Sequence, residues 1–249
     1  MSGHSKWATI KHQKGAADAK RGQLFTKLSR EIIFAAKEGG PDPDMNARLR
    51  LAVQKAKDAR MPSDNIERAI KKGSGQLEGE ILTELNLEGY GPGGVAVLVQ
   101  GVSDNRNRTI ADVRHIFTKA GGALGEAGCV SWIFETKGSI VVKGGGRDPD
   151  ELTLEAIDAG ADDVKIDEDV LEILTTPDQL EKVRKALEAK KIPVESAGIE
   201  KHPKTLVELD EETALQVLKL LSNLEDLDDV QNVYSNADFD PGVIDKFQA

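Results

Sequence analysis

Residues 138–199 run GSIVVKGGGRDPDELTLEAIDAGADDVKIDEDVLEILTTPDQLEKVRKALEAKKIPVESAGI, and the punctuation of that run decides the fold. Gly138 to Lys143 reads as a short strand. Asp148-Pro149-Asp150-Glu151 then supplies an N-cap, a proline at the first helical position and an acid placed for a capping box, so a helix opens there and Gly160 closes it. Strands near Val164 to Ile166 and Val170 to Thr175 follow. Thr176-Pro177-Asp178-Gln179 repeats the helix start, with Leu180, Val183 and Leu187 on one stripe, and Pro193 to Ile199 supplies a last strand. The order β-α-β-β-α-β is the ferredoxin-like split unit, whose two helices cover one face of a sheet.

The flanks are each incomplete. Upstream, Glu80 to Leu87 and Gly94 to Gly101 read as strands joined at Gly89-Tyr90-Gly91-Pro92-Gly93-Gly94. That glycine cluster is a hairpin turn and not a dinucleotide fingerprint, because a strand follows it where a helix would have to offer its N-terminus to pyrophosphate. A helix from Asn105 to Ala120, with Asp104 as cap and Ile110, Val113 and Phe117 inward, leads to a strand from Cys129 to Phe134. Downstream, a strand near Leu206 to Leu209, a helix capped by Asp210 with Leu215, Leu218, Leu221 and Leu224 inward, and a strand from Val230 to Tyr234 complete a second such set with one extra strand. The expected fold class is therefore α+β: an N-terminal helical bundle followed by two ferredoxin-like α/β domains, one inserted in the other. The expected boundaries are 1–76, 77–137 with 204–249, and 138–203.

The N-terminal unit is helical by spacing. Leu24, Leu28, Ile32 and Ala35 or Ala36 share a stripe in a helix from Asp18 to Lys37, stopped by Gly39-Gly40-Pro41. Lys20, Lys27, Arg30 and Lys37 fall largely on the opposite side. A second helix, Asn46 to Arg60, buries Leu49, Ala52, Val53 and Ala56. A third follows Pro62, with Asp64 and Glu67 as capping pair and Ile66 and Ile70 inward. Helices two and three suit a helix-turn-helix poorly, since Asp64 and Glu67 would face phosphate.

Charge separates the same regions. Residues 1–75 carry 16 Lys/Arg and 8 Asp/Glu, a net of +8, and the remainder carries 17 and 35, a net of −18, within a chain of net −10. Such asymmetry points to nucleic acid or another anionic surface as partner. Residues 1–18 read as an exposed basic arm in which His4, Lys6, Lys11, His12 and Lys14 surround Trp7. Lysines meet phosphates and an indole can stack on an unpaired base, although Trp7 and Ile10 serve equally well as a packing anchor. Arg21 continues the arm. Arg106 and Arg108 oppose the dipole of the helix they open, which calls for ion pairing or for phosphate contact.

Other chemistries lack support. His4, His12, His115, His202 and the lone Cys129 show no metal-ligand spacing, so no metal and no cofactor is expected. Gly144-Gly145-Gly146 lacks the Lys-Ser/Thr of a P-loop, and no nucleophile is placed beside His115, so an enzyme is not expected. No apolar run approaches the roughly 20 residues of a membrane span. The unpaired cysteine and the lack of an apolar leader lead to an expectation of cytoplasmic location.

The segments SGHSKWATIKHQKGAADAKRGQLFTKLSREI, RMPSDNIERAIKKG, EGYGPGG, SDNRNRTIADVRHIFTKAGGALG and LEDLDDVQNVYSN closely resemble the YebC/PmpR family, which includes the mitochondrial translational activator of cytochrome c oxidase subunit I. The resemblance is nearly full-length. Gly15, Gln23 and Leu87 depart from residues common in that family. It implies a three-domain fold and a cytoplasmic, non-enzymatic regulator of gene expression, with some members named as DNA-binding transcriptional regulators and others resembling ribosome-associated translation factors. The expected function is thus a nucleic-acid-binding regulator acting on DNA or ribosomal RNA. A ribosome-associated translation factor binding rRNA through its arm is one alternative, and an adaptor binding proteins through its acidic α/β domains is another.

Overall fold

A computed structural model describes residues 18–78, 81–167 and 170–248. Three helices come first: α1 (Asp18–Gly39), α2 (Ala47–Asp58) and α3 (Ser63–Gly73). They enclose Leu28, Ile32, Ala35, Leu49, Ala52, Ala56, Ile66 and Ala69. Asn46 is the joint between the first two. Its Nδ2 donates to the carbonyls of Ala35 at 2.8 Å and Gly40 at 2.9 Å, while its Oδ1 accepts the Leu49 N–H at 3.0 Å and caps α2. One amide thus fixes the α1–α2 turn and satisfies an orphan helix donor. The expected Asp64 cap does not form: α3 starts at Ser63 behind Pro62, with no side-chain cap.

The next elements are β1 (Thr83–Tyr90), β2 (Ala96–Ser103), α4 (Arg106–Lys119) and β3 (Ala123–Leu124). The β1–β2 hairpin forms as expected, with its strands set two to three residues later. Its turn uses Gly93 at φ 68°, a conformation open to glycine at little cost. β4 (Phe134–Lys143), α5 (Pro149–Ala159), β5 (Asp163–Asp167), β6 (Val170–Thr175), α6 (Leu180–Ala189) and β7 (Val194–Pro203) follow, then β8 (Val207–Glu208), α7 (Glu211–Glu225), β9 (Val230–Ser235), β10 (Ala237–Asp238) and α8 (Pro241–Gln248).

These strands form a four-stranded antiparallel sheet in the order β5-β6-β4-β7 and a second in the order β3-β1-β2-β9. Ile140, Val142, Leu171 and Ile173 line the inner face of the first, under Leu152, Leu180, Val183 and Leu187 of α5 and α6. Val97, Val99 and Val233 line the second, under Phe117 of α4 and Leu218, Leu221 and Leu224 of α7. The molecule is a mixed α/β protein with antiparallel sheets.

Several expectations are corrected. Residues 129–133 are not a strand: Ser131–Ile133 is a 3-10 turn and β4 begins at Phe134. The reason is Glu88, whose buried carboxylate accepts the N–H groups of Gly128, Val130 and Ser131, each at 2.8 Å, so these donors are withdrawn from any ladder. Strand β8 pairs in parallel with β10 and not with the larger sheet. The Thr176–Gln179 start is displaced, since α6 begins at Leu180 and Gln179 makes no capping bond through its side chain. Asn105, not Asp104, caps α4. Helix α8 was not expected.

Candidate nucleic-acid interface

Three segments meet at a junction that gathers half of the expected site residues found among the described side chains. Its centre is Asp229, at the approach to β9. The β2–β9 register slips between Gln100 and Gly101. Gly101 permits this, because a Cβ there would stand 2.5 Å from the Asp229 carbonyl oxygen. That oxygen accepts the Val102 N–H at 2.8 Å, which leaves the Asp229 side chain buried between β2, α4 and α1.

Its carboxylate is heavily engaged. Oδ2 accepts from Ser103 Oγ at 3.1 Å, from Arg108 Nη2 at 2.9 Å and from Thr109 Oγ1, and Oδ1 pairs with Arg30 Nη1. Burial alone would raise its pKa. The Thr109 and Arg108 hydrogen bonds, the Arg30 charge and the Ser103 hydroxyl outweigh it, and the group is held below the usual carboxylate range. Arg108 also pairs with Asp104 at 2.6 Å, and both acids raise its own pKa.

The acidic turn before β9 extends this contact along α1. Lys27 Nζ donates to the Glu225 carbonyl and Gln23 Nε2 to that of Asp226. Further along, Lys37 donates to the Leu82 carbonyl at 3.0 Å, where Phe34 packs on Leu82 and Val102. Arg48 of α2 stacks over Phe34 at 4.7 Å and pairs with Glu84 of β1 at 2.6 Å. An open cleft of about 520 Å³ lies at the junction, bordered by Arg30 and Arg108 but also by Asp112, Asp226, Asp228 and Asp229. With carboxylates outnumbering guanidiniums, the cleft is no ready-made phosphate pocket.

The expected site residues therefore divide. His4, Lys6, Trp7, Lys11, His12 and Lys14 lie outside the described residues, as does the side chain of Lys20. Lys27, Arg30, Lys37 and Arg108 are held by groups of the same chain. The helix-one face expected to point away from the core thus carries, at three of its four positions, contacts to the α/β part. Arg21 and Arg106 are exposed. Leu24, placed on the packing stripe, is instead 39% exposed.

A second surface left no signal in the residue pattern. Tyr90 Oη and Trp132 Nε1 both donate to the Cys129 carbonyl, at 2.9 and 3.1 Å, and Trp132 is 66% exposed. Lys204 Nζ reaches the Trp132 carbonyl at 3.0 Å. The turn that carries Trp132 is the one fixed by Glu88, whose pKa burial would raise but the three backbone donors and the Ser131 hydroxyl bring below the usual value.

A mixed α/β chain with a helical N-terminus, antiparallel sheets and a basic start joined to an acidic turn defines the class. Residues 5–76 match the family described as the TACO1/YebC protein N-terminal domain, and residues 82–237 match the TACO1/YebC second and third domain. The chain belongs to the TACO1/YebC family. It is 71% identical, over all of its length and 99% of the relative, to a probable transcriptional regulatory protein of Dehalococcoides mccartyi. It is 54% identical to one of Dictyoglomus turgidum, covering 96% of each chain. A crystal structure of a conserved hypothetical protein from Aquifex aeolicus superposes with a TM-score of 0.86 at 53% identity, covering 94% of this chain and 96% of that one. Among the described residues, no helix is long and apolar enough to cross a membrane.

Proposed function

We propose that this chain is a nucleic-acid-binding regulator of gene expression that engages its target through the basic stretch before and at the start of α1. The observation that carries this is the charge division, +8 over residues 1–75 against −18 over the rest. The internal pairing of Lys27, Arg30, Lys37 and Arg108 sets these four apart, and the partner-facing set is His4, Lys6, Trp7, Lys11, His12, Lys14 and Lys20, with the exposed Arg21 and Arg106 as outlying cations. The names of the relatives support a role in transcription regulation. Cytoplasmic location and the lack of a catalytic role belong to the same reading. So does a three-unit division at 1–76, 77–137 with 204–249, and 138–203, which is in keeping with the three largest apolar clusters among the described residues and with the ferredoxin-like strand order of the β5-β6-β4-β7 sheet.

DNA and ribosomal RNA are separate readings. The net −18 of the remainder opposes a long duplex but tolerates a basic arm entering an RNA cavity, and this favours RNA on physical grounds. Crosslinking in cells followed by sequencing of the bound nucleic acid decides: a predominance of rRNA excludes promoters as the main target, and a predominance of promoter fragments excludes the ribosome.

Deleting residues 2–20 removes Lys6, Lys11, Lys14 and Lys20. If all four neutralise phosphates, the slope of log K against log salt becomes shallower by about 3.6 for duplex DNA and about 2.8 for a single strand. A deletion that changed neither the affinity nor this slope would remove the arm from the site.

A further inference from the structure

We propose that Glu172, Glu200 and His202 form a binding site for one divalent first-row metal ion, of the zinc or manganese type, on the polar face of the β5-β6-β4-β7 sheet.

Glu200 and His202 stand two residues apart on β7 and so share a face. Glu172 lies on β6, across β4 from them. One ligand atom from each side chain falls within 4.8 Å of the others, and His202 Nε2 stands 3.6 Å from Glu172 Oε1. Donors about 2.1 Å from a shared zinc or manganese ion lie within roughly 4.2 Å of each other, so the cluster needs only a few tenths of an ångström of closure. One imidazole nitrogen and two carboxylate oxygens suit borderline ions of this kind better than calcium or magnesium.

The surroundings favour a built site over a chance meeting of surface acids. His202 is 4% exposed and Glu172 5%. Ser139 Oγ lies 3.2 Å from Glu172 Oε1, a bond that orients the carboxylate as metal-ligating carboxylates commonly are. Glu200 is only half-buried and gives the ion a route in. Beyond it, Glu200 and Glu31 raise the pKa of the buried Tyr234 phenol, after burial itself, so the region has a negative potential. Lys165 and Lys137 lie opposite Glu172 and Glu200 in the strand register. Lys137 is drawn toward Glu135 and Asp162, each at 3.8 Å.

An ion here would tie β6 to β7 across β4 and stiffen the face that meets Tyr234 and α1. The site was invisible to a search for cysteine and histidine spacings, because Glu-x-His on a strand joins a carboxylate from another strand only through sheet order.

The test uses the full chain, stripped with chelator, and titrates Zn²⁺ and then Mn²⁺ by calorimetry with thermal unfolding in parallel. One ion per chain is expected, zinc the tighter by the usual affinity order, with a rise in melting temperature. His202→Gln and Glu200→Gln should each weaken binding at least tenfold. Glu200→Gln alters only a half-buried side chain and guards against misfolding. A His4→Gln/His12→Gln variant controls for the N-terminal histidines and should bind as the unaltered chain does. No binding, or binding unchanged in both site variants, overturns the proposal.

Discussion

The junction at Asp229 makes the most exacting prediction. Asp229→Asn keeps the shape of the side chain but removes its charge and turns one acceptor into a donor facing Arg30 or Arg108. A charge-assisted hydrogen bond is worth roughly 1.5–3 kcal/mol, and the Arg30 bond merits full weight because both side chains are largely buried, at 17% and 9% exposure. Arg108 is 47% exposed, so solvent screens its share, and the rest of the loss comes from the buried Thr109 and Ser103 bonds. The expected loss is about 2–4 kcal/mol, read from urea unfolding of the full chain by circular dichroism and tryptophan emission, with the transitions fitted separately where they do not coincide. Because the folded pKa of Asp229 is depressed, its contribution is complete above the unfolded value of about 3.9 and disappears as the pH falls through the folded value. The acid limb of the stability profile should therefore be flatter in Asp229→Asn. A loss below about 0.5 kcal/mol with an unchanged acid limb would refute the account.

Two further substitutions probe other joints. Glu88→Gln leaves three backbone donors at 2.8 Å facing a neutral amide, and should cost about 2 kcal/mol and shift the emission of Trp132. Stability loss on acidification should shrink accordingly, since the Glu88 pKa is also depressed. In α3, Gly73→Ala gains about 1 kcal/mol of helix propensity but places a Cβ 2.3 Å from the Ile33 carbonyl and 2.8 Å from Ala36 Cβ. The overpacking cost of about 1–3 kcal/mol should win, so net stabilisation in a denaturant titration would contradict the close approach of α1 and α3.

Local signals reached the elements and stopped at their joints. Asp148-Pro149 and Gly160, at φ 109°, open and close α5 as read from the chain, and the stretches 138–143 and 170–175 form the expected strands, paired antiparallel. Glu88 was illegible, because an acid in a strand looks like solvent-facing polarity until the turn forty residues away supplies its donors. Lys27, Arg30 and Lys37 were misjudged for a similar reason. Helical periodicity puts them away from one apolar stripe, but it contains nothing about the acidic turn at 225–229 that docks on that side. The Asp104-Asn105 cap was off by one residue because both side chains can cap, and the partner of Asp104 turned out to be the Arg108 guanidinium.

Phe134 and Pro203 face each other across β4 and β7, although some 70 residues of chain separate them. For the polymer this pairing is a shortcut. Once β4 through β7 have come together, the path from Ser103 to Val230 shortens from about 125 residues to about 60, and closing it costs roughly 0.7 kcal/mol less in chain entropy. Early assembly of that segment would therefore speed the pairing of β2 with β9, and Phe134, which shares an apolar cluster with Ala96, Leu98 and Tyr234 of those strands, ties the clasp to the sheet it serves.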